Sequence, residues 1–467
     1  MLQMKNIISA VLAAAFAAAL AVWGAVGAFA LEDSGGEFSL QEQHLMIDRS
    51  SSSYGYEYLA ETENGQAKQA LYRQLGELSQ SFWDSDEDAA YYKGYYVIGQ
   101  IDLEELGLTN TQATEVFFTF KNDHPIYYFA SATAAYDGRT FCYVIYKDYA
   151  EGEVRKGCRQ SICRHIAQRS AELADKFSTY DKVLALHELT ADSMDYAYKS
   201  GTRQPSAEAW AHNILGAAVE GSGVCEAYAR DIQLILNCIG VENVLVTGTA
   251  GSGSHAWNIV RFDDGSFYCV DCTWDDLRGD LSLFAKGTDL FYKDHTPDSP
   301  ENSGVDHLYG LPEVRAEDYS FDPTLRKSPV LTGSISDPLG ALYFSRAALT
   351  DESGAECDLQ LYFGRFAAAD TPEGSCTLTA ACEGYAPRST TVVIKKGELT
   401  QAELTLGRYG DIDLDGSIST KDALRSVAFA RKTHRPESDY QAALADVNKD
   451  GKLDTKDAML LIGICCK

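Results

Sequence analysis

GSGVCEAYARDIQLILNCIGVENVLVTGTAGSGSHAWNIVRFDDGSFYCVDCTWDD, residues 221–276, is the stretch whose reading decides the fold. Its GSG opening is a turn, because glycine tolerates the dihedrals that turns require. From Cys225 the residues Ala229, Ile232, Leu236 and Ile239 recur at spacings of three and four, and Gly240 ends this helical run. Cys225 therefore belongs to the first turn of a helix, where free N–H groups and the positive dipole end favour a thiolate. VLVTGTA, HAWNIVRF and SFYCVDCTW are rich in β-branched and aromatic residues and predict antiparallel strands joined by Gly-Ser and Asp-Asp-Gly turns. His255 and Asp271 on neighbouring strands can pair. The histidine then takes the thiol proton and the aspartate holds the imidazole tautomer. A free cysteine is more commonly buried and inert, and a lone histidine structural. The ordered combination Cys225, His255, Asp271 is what points to a nucleophilic site.

GVCEAYAR, GSHAWNIV and VDCTWDD, led by the helix DKVLALHELTADSMDYAY, together resemble the bacterial secreted branch of the transglutaminase-like superfamily over roughly residues 115–315. The resemblance implies a papain-like fold and a Cys-His-Asp triad of Cys225, His255 and Asp271. Ala227 stands where the family more often has glycine, which tightens the space near the nucleophile. Tyr196 falls near the family's aromatic position beside the oxyanion site, although the backbone N–H of Cys225 is the simpler oxyanion donor.

The chain has 467 residues, enough for three or four domains, and its 68 acids against 40 bases give a net charge of −28. That charge argues against nucleic acid and anionic membrane surfaces as partners and suits extracellular life and cation binding. Residues 1–30 read as a signal peptide. Lys5 is the positive region, Ile7 to about Val26 the apolar run, and Ala28-Phe29-Ala30 the cleavage site. The run is also just long enough to act as an uncleaved anchor. Twelve cysteines in an exported chain raise the question of disulfides, but their spacing forms no tight framework.

Residues 31–110 form an N-terminal extension, with a polar, poorly ordered start over 31–60 and a helix over AKQALYRQLGELSQSFW. VFFTFKNDHPIYYFASATAAYDGRTFCYVIY predicts two or three strands. Its aromatics read as core, with a sugar- or peptide-binding face as the alternative. His124 belongs to this extension and is not a ligand. Helices follow over Arg155–Lys176 and Tyr180–Tyr198, the second with Val183, Leu186, Leu189 and Met194 on its apolar face, and His187 is structural. Cys269 and Cys272 form a CxxC, but residues three apart on a strand face opposite sides and share a metal poorly. Cys158 and Cys163 read as helix packing. The module spans 111–318 and ends in a tail containing His295 and His307. After a linker near Tyr319–Pro329, residues 330–407 alternate short strands and turns, as a small β-sandwich does. GSCTLTAACEGYAPRSTTVVI resembles the carboxypeptidase-regulatory-like fold, and the segment is either a spacer or an accessory binding module.

DIDLDGSISTKD from Asp411 and DVNKDGKLDTKD from Asp446 form an internal repeat offset by 35 residues. Each supplies calcium ligands in a twelve-residue loop. They are Asp411, Asp413, Asp415, the Ser417 carbonyl, Ser419 and Asp422 in the first loop, and Asp446, Asn448, Asp450, the Lys452 carbonyl, Asp454 and Asp457 in the second. Gly416 and Gly451 make the sharp turn, and a helix follows each loop. The duplicated loops, with aspartate in the last position and no helix before Asp411, resemble a type I-like dockerin, residues 408–467. The resemblance implies two calcium ions, a cohesin partner on a scaffold protein, and cohesin contacts at Thr420, Lys421, Thr455 and Lys456. The matching copies allow docking in two orientations. A calcium-stabilised tail without a partner is the plainer alternative.

The fold class expected is thus multidomain: an α+β papain-like transglutaminase core, a small β-sandwich and an all-α calcium-binding dockerin. The function expected is that of a secreted, scaffold- or cell-surface-associated cysteine enzyme acting on protein or peptide amides through a thioester. Hydrolysis is favoured. Cross-linking by a lysine amine and a non-catalytic binding module in a polysaccharide-degrading complex are the alternatives. No stable membrane association is expected, and no pair of carboxylates stands out as a glycosidase site.

Overall fold

The structure is a computed structural model describing residues 37–299 and 310–466. The expected signal peptide, the first residues of the extension and His307 lie outside the described residues. The chain divides into two compact units. One holds residues 37–335 and 343–406, and the other 336–342 and 407–466. No helix among the described residues is long and apolar enough to cross a membrane.

The first unit begins with helices where a poorly ordered start is expected. α1 (Leu40–Ser50) is set by a capping box in which Ser39 and Glu42 exchange hydrogen bonds, and it buries Met46 and Ile47. α2 (Tyr54–Ala60) and α3 (Gly65–Asp84) follow. VFFTFKND is also helical, contrary to its β-rich composition. α4 (Asn110–Asp123) starts at a Thr109–Gln112 capping box and buries Val116, Phe117 and Phe120, so packing overrides strand propensity. Strands β1 (Ala90–Tyr92), β2 (Tyr95–Asp102), β3 (Ala135–Asp137) and β4 (Thr140–Ile145) make an antiparallel sheet in the order β1-β2-β4-β3. His124, just past α4, is held by Ser51 Oγ at 2.7 Å and Tyr72 Oη at 3.1 Å.

α5 (Gly152–Glu172) carries Arg155, which is 1% exposed. Its guanidinium donates to the carbonyls of Tyr149 (3.1 Å), Ala150 (2.8 Å), Ser85 (3.0 Å) and Glu87 (2.5 Å) and lies 3.8 Å over the Phe82 ring. It fastens α5 to the loop after α3. Arg155→Ala takes a donor from four carbonyls, of which Ala150 keeps the Ala89 N–H at 2.8 Å, and a loss of about 3 kcal/mol or more is expected in urea unfolding. A loss below about 1 kcal/mol would show that water replaces the guanidinium without penalty.

α6 (Thr179–Ser193) stops short of the expected Tyr198. Asp195–Tyr196 instead form a two-residue parallel ladder with Ser222–Gly223, drawing the chain alongside the segment that enters the next helix. That helix, α7 (Cys225–Cys238), is buried on every side from Ala227 to Leu236 and packs against α1, α5, α6 and the second sheet. A helix buried all round is a core element, not a surface one. The second sheet, β5 (Asn243–Ala250), β6 (Gly253–Arg261), β7 (Phe267–Val270) and β8 (His295–Pro297), is antiparallel in the order β8-β5-β6-β7. β5, β6 and β7 are the expected strands. The third ends at Val270, however, and Cys272 opens α8 (Cys272–Arg278). The CxxC is therefore split between strand and helix. Cys269 and Cys272 are buried in different apolar clusters, and burial pushes both thiols up. Cys225, Cys269 and Cys272 carry free thiols.

Past residue 330, β9 (Leu331–Asp337), β10 (Arg346–Thr350), β11 (Glu356–Cys357), β12 (Gln360–Tyr362), β13 (Arg365–Ala368), β14 (Gly374–Ala381), β15 (Arg388–Ile394) and β16 (Thr400–Thr405) form antiparallel pairings. β9 pairs with β13 and β16, and a separate sheet runs β11-β10-β14-β15. β14 shows half-buried alternation, with Cys376, Leu378 and Ala380 inward. Gln360 Nε2 donates to the carbonyls of Ala174 (2.7 Å) and Lys176 (2.8 Å), fastening this region to the segment after α5.

In the second unit, α9 (Thr420–Ala430), α10 (Asp439–Ala445) and α11 (Thr455–Cys465) surround a small core of Ile412, Ala423, Phe429, Ala445 and Leu461.

Candidate active site and calcium loops

Cys225 is the first residue of α7, so its backbone N–H is one that the helix's own carbonyls leave unsatisfied. Gly223 is required just before it. A Cβ there would lie 2.5 Å from Ala227 Cβ and 2.9 Å from Met194 Cε. A Cβ on Gly216 would also meet Ala227 Cβ, at 3.0 Å. The alanine at 227 fits because both facing residues are glycine. Tyr196 pairs with Gly223, and burial first, then the charge of Cys225, pushes its hydroxyl up, which keeps it a donor.

The structure brings the three sequence-predicted site residues together. His255, on β6, sits opposite Gly248 of β5. Its Nε2 lies 2.8 Å from Asp271 Oδ2, and the Cys225 sulfur is near enough to act on the charge of the ring. With Nε2 committed to Asp271, Nδ1 is the nitrogen available to sulfur. Asp271 is the N-cap of α8, with Oδ1 accepting the Trp274 N–H at 3.1 Å. Burial opposes a charged imidazole here, but hydrogen bonds and charge from Asp271 and Cys225 outweigh it and push His255 up to about 10. Burial likewise opposes the Asp271 carboxylate, yet His255 and His295 hold it down to about 2. The site thus favours an imidazolium beside the sulfur.

Several residues that position this site escape a reading of the sequence. Asn258 of HAWN is 1% exposed and its Nδ2 donates to the Ala229 carbonyl at 2.9 Å, tying β6 to α7. Tyr228 Oη donates to Asp276 Oδ2 at 2.7 Å, tying GVCEAYAR to VDCTWDD. Glu226, next to the nucleophile, is half-buried among Arg230 (2.9 Å), His212 (3.4 Å) and Lys121 (3.5 Å). Burial resists its charge, but the two cations hold its carboxyl well below the usual range. His187 lies 3.2 Å from buried Asp275, a structural pairing. The main omission is His295. It is wholly buried, with Nε2 3.1 Å from the same Asp271 Oδ2.

Two sets of donors among the described residues lie close enough to share a cation. His255, Asp271 and His295 are one, but both histidines are already hydrogen-bonded to Asp271. Asp411, Asp413 and Asp415 are the other. Gly416 (φ 88°) and Gly451 (φ 78°) make the left-handed turns of the two loops. The loops repeat the same backbone-to-carboxylate bonds at their first and last positions. Asp411 accepts the N–H groups of Asp415 (3.2 Å) and Gly416 (3.1 Å), and Asp446 those of Asp450 (3.1 Å) and Gly451 (2.8 Å). Asp422 accepts from Ser419 N (2.9 Å), and Asp457 from Asp454 N (3.0 Å). Asp413 Oδ1 is buried without a hydrogen-bond donor, as an oxygen reserved for a cation would be. Thr420, Lys421, Thr455 and Lys456 are exposed, and Lys421 and Lys456 each reach back to the fifth position of their own loop, Asp415 (3.6 Å) and Asp450 (3.8 Å). Leu424 and Met459, at equivalent positions, expose 70% and 67% of their surface.

Residues 164–272 match the family model of the transglutaminase-like superfamily, and residues 409–464 match that of the dockerin type I domain. The chain carries a transglutaminase-like core and a type I dockerin. No curated protein matches. Among solved structures, one described as the crystal structure of a TGase is 16% identical over 30% of this chain and 43% of that one, TM-score 0.21. A structure from Cytophaga hutchinsonii, provisionally named a cysteine protease, is 17% identical over 35% of this chain and 54% of its own, TM-score 0.21. The chain thus spans about half the length of these two. A type II cohesin–X-dockerin complex from Acetivibrio cellulolyticus gives 19% identity over 28% of this chain and 92% of that chain, TM-score 0.15.

Proposed function

We propose that this chain is a secreted cysteine amide hydrolase, working by thioester acyl transfer on protein or peptide substrates and carried on a cohesin scaffold by its calcium-loaded dockerin. The observation that carries the reading is the convergence of Cys225, His255 and Asp271. A nucleophile opens a core helix, and a base hydrogen-bonded to a buried carboxylate lies within electrostatic reach of its sulfur. Cys225 sulfur attacks the amide carbonyl carbon, and the developing oxyanion faces the Cys225 N–H with the Tyr196 hydroxyl beside it. His255 passes the proton from the thiol to the departing amine, leaving a thioester. Water, deprotonated by His255, then attacks the thioester carbonyl, releasing the acid and restoring the thiol. Asp271 keeps the imidazole oriented throughout.

In the dockerin, Asp411, Asp413, Asp415, Ser417, Ser419 and Asp422 would hold one calcium, and Asp446, Asn448, Asp450, Lys452, Asp454 and Asp457 a second. Each ion would rigidify its loop and the helix that follows. Thr420, Lys421, Thr455 and Lys456 would then meet the cohesin, with Leu424 and Met459 as apolar contacts beside them.

The deciding experiment incubates the protein with a complex peptide mixture and a labelled primary amine, beside Cys225→Ala, and reads products by mass spectrometry. Cleaved peptides that disappear in the variant are expected. Amine adducts on glutamine would make the enzyme a cross-linker, and no Cys225-dependent product would leave a binding module.

A further inference from the structure

We propose that His295 is a positioning residue of this centre: its Nε2–H, held against Asp271 Oδ2, fixes the carboxylate that in turn orients His255. The inference rests on the triad reading above and extends it by one residue.

Asp271 is fully buried, so every donor it keeps matters. It has three. Trp274 N–H serves Oδ1, while His255 and His295 share Oδ2 at 2.8 and 3.1 Å. Without His295, Oδ2 is left with the single imidazole whose orientation it must dictate. His295 is itself firmly placed. Its Nδ1 lies 2.6 Å from Asp294 Oδ1, and its ring is caged by Phe291 (4.1 Å between centroids), Trp274 (4.8 Å) and Trp257 (5.3 Å). The titratable groups facing it are Asp271, Asp294 and, ring to ring at 5.5 Å, His255.

The topology explains how two imidazoles from strands that are not neighbours reach one oxygen. β5 lies between β6 and β8, and the residue opposite His255 on β5 is Gly248. A Cβ there would meet Trp257 Cη2 at 2.8 Å and Thr296 O at 2.3 Å. The missing side chain leaves room for both Trp257 and the β8 backbone that carries His295. The chain Asp294–His295–Asp271–His255–Cys225 thus runs from a carboxylate whose side chain is 45% exposed to the sulfur.

A merely structural role and a positioning role make opposite demands on substitution. Phenylalanine preserves the ring among its aromatic neighbours but donates nothing. Glutamine loses the ring but can place an amide N–H near the Nε2 position. The test is the rate of Cys225 alkylation by iodoacetamide between pH 5 and 11 in the full chain, read on the Cys225 peptide, with melting temperatures alongside. His295→Phe is expected to slow alkylation at pH 7 by about ten- to a hundredfold, the scale of one lost hydrogen bond to a charged group. The alkaline inflection, near pH 10 where His255 loses its proton, should move down. His295→Gln should recover most of the rate and the inflection. If the Phe variant does not melt cooperatively, His295→Asn, which is too short to reach Asp271, should show the same loss. His295→Phe as fast as His295→Gln, with the wild-type pH profile, overturns the proposal. A wild-type profile unchanged by His255→Ala would instead overturn the triad reading beneath it.

Discussion

Chelation of calcium is expected to unfold residues 411–466 and abolish cohesin binding, while the first unit keeps its melting transition. Asp411, Asp413 and Asp415 gather carboxylate oxygens within 4.8 Å of one another. Without a cation, like charges at that distance repel, and the buried Asp413 Oδ1 has no donor. The apolar core of Ile412, Ala423, Phe429, Ala445 and Leu461 is too small to offset this, since so short a segment seldom folds without a metal or a disulfide. Binding energy for the ions is therefore folding energy. Circular dichroism should lose the helical signal of this region in excess chelator, and calorimetric titration with a cohesin should show no heat. The double variant Asp411→Ala, Asp446→Ala should behave as the chelated wild type does. Full cohesin affinity in either condition would remove calcium from the docking mechanism.

His255→Ala should reduce the alkylation rate of Cys225 at pH 7 by a hundredfold or more, while Asp271→Asn should reduce it less. In the wild type, His255 stays an imidazolium to about pH 10 and keeps a positive charge beside the sulfur. The alanine variant removes both base and charge. Stability should follow the same pair. His255 is raised from 6.5, so its contribution is complete below 6.5 and fades as pH climbs through about 10. Asp271 is lowered from 3.8, so its contribution is complete above 3.8 and fades as pH falls through about 2. The pair thus stabilises most between roughly pH 4 and 6.5, and the stability difference between wild type and His255→Ala should be largest there. A difference that grows toward pH 10 would contradict this account of the charges.

The nucleophile, its base and its carboxylate were legible because each sits in a local signature: a glycine turn into a helix, an alternating strand, and an acid at a strand end. The calcium loops were legible because their ligands fall within twelve residues and occur twice. His295 was not. Its role comes from β8 pairing back onto β5, which sets Pro297 against Gly248, and nothing near His295 in the chain announces that register. The N-terminal helices were hidden by composition. Ser, Tyr and Gly around residues 50–56 suggest a loop, and only the capping box at Ser39 and Glu42 marks the start of α1. Asn110–Asp123 misleads in the other direction, because three phenylalanines in a row of β-formers turn out to line a helix face packed into the core. The role of Asn258 also depends on what lies across from it, a carbonyl of α7.

The close fit of Gly223 against the methyl of Ala227 makes these two positions an epistatic pair, whereas Gly216 is fixed separately, since a Cβ there would lie 2.7 Å from the Ser222 carbonyl oxygen. A methyl group can occupy one wall of this crevice beside the nucleophile, but not two. Gly223→Ala alone should displace the start of the helix and the sulfur with it, whereas the same change joined to Ala227→Gly returns the lost space. A lineage with glycine at 227 meets only the flexible end of Met194 when position 223 gains a methyl. One with alanine there, like this chain, has closed that route.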